Sequence, residues 1–170
     1  MKKPLLILLI LSVLGAIGWL FLKSYKGIHA KKKAAQQVQT LPAAAFLSLD
    51  STFVPIKNTQ RPTAIFYFDP HCEHCQQEAA TLVKEAQQFK DVQVYWLSSA
   101  SLADLRTFEV QYGLQKKLSM LQIGQISAEV ADKQFGFRTV PTILLYNQAG
   151  TLTKKYVGET KTEAILKYLR

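Results

Sequence analysis

Residues 63–68, "TAIFYF", form a continuous run of β-forming residues, and the chain then passes through Asp69 and Pro70 into "HCEHCQQEAATLVKEAQQF", residues 71–89. A strand with no polar alternation has both faces buried, so it belongs in the middle of a sheet covered on each side. The segment after it contains no Gly or Pro, and Ala79, Leu82, Val83, Ala86 and Phe89 supply a helical stripe. A central strand running straight into an amphipathic helix predicts a βαβ unit. Both cysteines of the chain, Cys72 and Cys75, fall at that junction.

The alternation continues to the C-terminus. Residues 92–97, "VQVYWL", predict a second strand, and residues 101–113, "SLADLRTFEVQYG", a helix capped by Ser101 and ended by Gly113. "KLSML", residues 117–121, is a third short strand, and "QISAEVADKQFG" a helix closing at Gly136. Residues 142–158, "TILLYNQAGTLTKKYVG", predict an antiparallel pair around a turn at residues 147–150. The chain ends in an amphipathic helix carrying Ala164, Ile165, Leu166 and Leu169. The order β, α, β, α, β, α, β, β, α predicts an α/β domain over residues 41–170, with the cysteine pair in its first βαβ unit.

Ahead of this domain, "PLLILLILSVLGAIGWLFL" holds 19 residues without a charge, residues 4–22. At helical rise that is about the 30 Å of a bilayer core, which predicts a membrane anchor over residues 1–23. A cleaved signal peptide fits less well: its apolar region spans about 7 to 15 residues, and "IHA" is a poor cleavage site. Residues 24–40 form a basic and polar tether. The net charge of +9 is concentrated here, since seven of the 21 basic residues precede Ala34 and no acid precedes Asp50. The remaining 14 basic and 12 acidic residues leave only +2, so no basic stripe points to nucleic acid. The lysines flanking the span suit anionic headgroups. Five follow it against two before it, which by charge alone puts the domain on the cytoplasmic side.

His71, Cys72, His74 and Cys75 are all metal-ligand types. A closed zinc site needs four converging ligands, usually two pairs from separate segments, and here the only further histidine is His29 in the tether. Adjacent residues on a helix point about 100° apart, so His71 with Cys72, or His74 with Cys75, do not converge. A two-thiolate copper(I) site remains open. Covalent haem requires His where Gln76 stands. A disulfide between residues three apart closes almost no loop, so its stabilising effect is small and exchange is the better use. At the start of a helix, unpaired N–H groups and the dipole favour a Cys72 thiolate as attacking sulfur. Cys75 lies one turn on, placed to attack the mixed disulfide, and Glu78 shares the same face and can exchange its proton. His74 supports the thiolate if protonated and Glu73 opposes it. Pro141, before an apolar strand, suits a bend that brings a loop to the site, and cis bonds are a proline phenomenon.

These residues resemble the thioredoxin superfamily, specifically the membrane-anchored bacterial thiol-disulfide oxidoreductases of the TlpA and ResA type. The resemblance rests on the N-terminal anchor, a leading "LPAAAFLSLDSTFVPI" hairpin, "CEHCQQE" as C-x-x-C-x-x-E, and "FGFRTVPTILLYNQAG". It implies a thioredoxin-like fold, a central mixed sheet flanked by helices, behind a single transmembrane helix. It further implies Cys72 as nucleophile, Cys75 as resolving thiol, Glu78 as the acid near the buried cysteine, Pro141 as a cis-proline, and Val140 against the substrate backbone. No cofactor beyond a redox-active Cys72–Cys75 disulfide is implied. The implied partners are protein thiols or disulfides and an upstream membrane or periplasmic electron donor. The implied location is the bacterial inner membrane with the domain on the extracytoplasmic side, against the lysine count. The chain departs from the family in having His71 where Trp is usual, Glu73 and His74 inside the motif, and Phe66 where thioredoxins carry a buried acid. A His before the second Cys also occurs in strongly oxidising relatives. Reduction of the partner is the expected direction, with a disulfide-forming oxidase or a copper(I) chaperone as the alternatives.

Overall fold

The computed structural model describes residue 15, residues 17–25 and residues 38–169. Residues 1–36 and 37–170 are separate compact units. In the first, residues 17–25 are helical, Trp19, Leu20, Phe21 and Leu22 are exposed, and the Lys23 ammonium lies 5.1 Å from the Trp19 ring centroid. Most of the predicted anchor and tether lies outside the described residues. Among the described residues no helix is long and apolar enough to cross a membrane.

The second unit is built on a seven-stranded mixed sheet. In chain order the elements are β1 (Ala45–Ser48), β2 (Phe53–Pro55), β3 (Thr63–Tyr67), α1 (Glu73–Lys84), β4 (Gln93–Ser98), α2 (Leu102–Tyr112), α3 (Leu114–Lys117), β5 (Leu121–Gln125), α4 (Ala128–Phe135), β6 (Thr142–Tyr146), β7 (Leu152–Val157) and α5 (Thr162–Leu166). The sheet order is β2-β1-β5-β4-β3-β6-β7. β3, β4 and β5 run parallel; β1, β2, β6 and β7 join antiparallel. Val38 is buried in this unit, and Thr40 bridges Thr151 beside β7.

β3 shows why "TAIFYF" has no polar alternation: all five residues of the strand are buried. Ala64, Phe66 and Phe68 face one core with α1, α2 and α5, through residues such as Leu82, Leu105 and Ile165. Ile65 and Tyr67 face the other core, with Phe46, Ala131, Phe135 and Phe137. Phe66 stacks on Trp96 at 4.4 Å between ring centroids, with Phe68 tilted against Trp96 at 5.5 Å. The place of the missing thioredoxin acid is therefore wholly apolar.

Two elements differ from expectation. The helix predicted over residues 71–89 is α1 followed by a 3-10 turn at Ala86–Phe89, because Glu85 leaves helical geometry at φ −105°, ψ 20°. The strand predicted at residues 117–121 starts only at Leu121, as β5; Lys117 ends α3, and residues 118–120 connect the two. Leu114 and Leu118 are both buried and four residues apart, a helical spacing that begins ahead of "KLSML" and so is not visible within it. The other helices follow their caps: Ser101 accepts from the Asp104 N–H and Ser127 from the Val130 N–H, and Gly113 and Gly136 end α2 and α4 at φ 63° and 62°.

Candidate functional site

The loop from β3 to α1 is braced by its own side chains. The Phe68 N–H still bonds the Leu97 carbonyl at 3.0 Å, after which Asp69 turns the chain. Its carboxylate accepts from the His71 N–H at 2.8 Å and its carbonyl from the Cys72 N–H at 3.1 Å. The Gln76 side-chain amide donates to the Pro70 carbonyl at 2.8 Å, tying the first turn of α1 back to the loop. Cys72 is the residue before the helix, extended at φ −82°, ψ 118°, and its side chain makes no capping bond. Its sulfur thus stands at the mouth of α1, beside the N–H groups that lack intrahelical acceptors. Both thiols are free; Cys72 is half-buried and Cys75 fully buried.

Below them lies Glu78, only 5% exposed. One carboxylate oxygen accepts from the Thr160 N–H at 3.3 Å, and the other, Oε2, has no partner among the described residues. Burial raises its pKa from 4.5 to about 8; the Thr160 N–H opposes this and the Glu159 charge adds to it. Burial likewise pushes the Cys75 thiol well up; a backbone group of Asp69 opposes this, while Cys72 and the Glu78 charge reinforce it. Cys75 and Glu78 are therefore both proton holders near neutral pH.

β6 completes the site. Thr142 pairs with Tyr67 at the end of the β3–β6 ladder, so the antiparallel register carries Pro141 and Val140 level with the loop that leads to Cys72. The Val140–Pro141 bond is cis, and Val140 is 37% exposed beyond the last ladder pair. Of the remaining predicted residues, His71, Glu73 and His74 are all exposed. Glu73 opens α1, where an acid suits the helix dipole. The His74 ring lies 2.9 Å from Glu159, pointing to the loop between β7 and α5. Among the described residues no group of three or more His, Cys, Asp or Glu side chains gathers as a metal site.

That loop, Gly158, Glu159 and Thr160, was not singled out from the sequence. Its three residues contact Pro141, His74 and Glu78 in turn. Glu159 and Thr160 lie 85 and 82 positions from their partners, and no local pattern marks them.

The fold is shared with solved thiol-disulfide proteins. The MTB protein dsbF, solved in its mixed oxidized and reduced forms, superposes with a TM-score of 0.65 at 15% identity, over 78% of this chain and 94% of its own. StoA from Bacillus subtilis gives 0.60 at 16%, over 78% and 99%. A secreted Mycobacterium tuberculosis disulfide oxidoreductase homologous to E. coli DsbE gives 0.57 at 17%, over 75% and 87%. No curated protein sequence matches the chain. The thioredoxin-like domain family matches residues 49–170, a span that runs from the β1–β2 hairpin through the Cys72–Cys75 pair and cis-Pro141 to the C-terminus. With its mixed sheet and with this pair at the β3–α1 junction, the chain belongs to the thioredoxin-like domain family.

Proposed function

We propose that this protein is a membrane-anchored thiol-disulfide oxidoreductase that acts on extracytoplasmic protein cysteines, with reduction of the partner as its direction. The asymmetry of the two thiols carries the reading. Cys72 is half-buried at the helix mouth, whereas Cys75, one turn on, has no exposed surface and lies near a buried carboxyl.

In the reducing direction the Cys72 thiolate attacks one sulfur of a partner disulfide; a Cys72–partner S–S bond forms and the partner's other sulfur leaves as thiolate. Cys75 then gives up its proton, attacks Cys72 Sγ and releases the second partner thiolate. The chain is oxidised by two electrons to the Cys72–Cys75 disulfide, and the partner is reduced by two. Glu78 is the acceptor for the Cys75 proton, being the buried carboxyl on the same helix. Val140, exposed past the end of the ladder, is where an extended partner segment would add on. An upstream membrane or periplasmic donor would restore the dithiol. Residues 1–23 would hold the domain at the inner membrane, facing the extracytoplasmic side.

The test is trapping. Cys75→Ser accumulates mixed disulfides through Cys72, and Cys72→Ser accumulates none, both read by non-reducing mass spectrometry. Equal trapping by the two variants, or tight copper binding without exchange, would sink the reading. Equilibration with glutathione buffers gives the direction: a potential near the ~−270 mV of thioredoxin fits a reductase, and one near ~−120 mV makes the protein an oxidase.

A further inference from the structure

Three consecutive residues between β7 and α5 each hold a different part of the site. The Gly158 N–H donates to the Pro141 carbonyl at 2.8 Å, with Gly158 at φ 94°. The Glu159 carboxylate meets the His74 ring at 2.9 Å, and the Thr160 N–H donates to Glu78 at 3.3 Å. That last bond is the only one the Glu78 carboxyl makes among the described residues. We propose that Glu159 is a positioning residue for proton exchange at the dithiol: clipped to α1 through His74, it holds the Gly158–Thr160 loop over Glu78.

The inference rests on the exchange reading above and adds a residue to it. Glu78 can accept the Cys75 proton only when ionised, and its environment decides when that is. The charged group acting on it is Glu159 from the loop, which His74 of its own helix holds in place, and the Glu78 charge in turn acts on Cys75. A carboxylate held close to a buried carboxyl disfavours its ionisation, so Glu159 keeps the proton on Glu78 to higher pH. The same loop is bonded to Pro141, next to the exposed Val140 where a partner would dock. Docking that draws the Glu159 side chain away while the Thr160 N–H stays on Glu78 would let Glu78 ionise as Cys75 has to lose its proton.

Glu159→Gln separates charge from contact, since its amide oxygen can still accept from the His74 ring. Two readouts apply to the full chain in detergent: the carboxyl 13C titration of Glu78, and the pH profile for resolution of a mixed disulfide with a cystine-containing peptide. In Glu159→Gln both midpoints move to lower pH together. Glu163→Gln, an exposed acid on α5 outside the groups acting on Glu78, leaves both in place. A Glu159→Gln profile superimposable on wild type, or an equal shift in Glu163→Gln, overturns the proposal while peptide exchange still stands. A wild-type chain that forms no mixed disulfide overturns the exchange reading itself, and this inference with it.

Discussion

Burial changes what Glu78 does near neutral pH. Its pKa rises from 4.5 to about 8 because the carboxylate loses its water and receives only one N–H in exchange. The folded chain thus keeps a proton that the unfolded chain releases across this window, so the Glu78 contribution to stability is fully present below pH 4.5 and is lost as pH rises through 8. Glu78→Gln removes that penalty. Thermal unfolding from pH 5 to 8 should show the variant gaining over wild type by a few kcal/mol, at ~1.4 kcal/mol per pH unit of the window. A difference independent of pH would mean that the carboxyl does not titrate there. The same variant should slow resolution of the mixed disulfide, since the amide cannot take the Cys75 proton. A surface glutamate would show neither effect, and nothing in "CQQE" says which kind this is: helical spacing puts Glu78 on the Cys75 face, but its depth depends on the loop that covers it.

Elements were legible where termini carry their own chemistry. Ser101 with Gly113 bound α2, and Gly136 ends α4, through a local hydrogen bond and left-handed glycines, so sequence sufficed there; the start of α4, expected at Gln125, falls instead after Ser127, because Gln125 belongs to β5. α3 was not legible: four residues are too few to show a period, and Leu114, with Leu118 just past the helix end, is placed by burial against the sheet. Another feature at this scale is the closeness of β1 to β5. Gly124 pairs with Ser48, and a Cβ on it would collide with the Phe46 ring and come to 2.5 Å from the Leu47 carbonyl oxygen. Gly124→Ala should therefore force the strands apart and cost roughly 1–3 kcal/mol, seen as a lower urea midpoint with unchanged slope. Wild-type stability in that variant would show that the β1 hairpin is free to shift.

On the scale of the whole molecule, residues 37–170 carry two cores, one on each face of the sheet, whose described members all belong to that unit. Expressed alone, this fragment should be soluble and unfold in one transition, while the full chain sediments with membranes and leaves them only in detergent. Full-length protein in the soluble fraction would remove the proposed anchor. The sequence by itself determined the α/β alternation, the central strand, most helix ends, the Cys72–Cys75 junction and the proline that precedes β6. Each of those rests on local periodicity, capping or spacing, which the chain carries within a dozen residues. Only the tertiary structure decided that Cys75 and Glu78 are buried while Cys72 is not, and that Val140–Pro141 is cis. It alone brought Gly158, Glu159 and Thr160 over the site, because β7 pairs with β6 and so delivers its following loop to the start of α1. Solvent exclusion and long-range pairing belong to the assembled sheet, and no stretch of sequence records them.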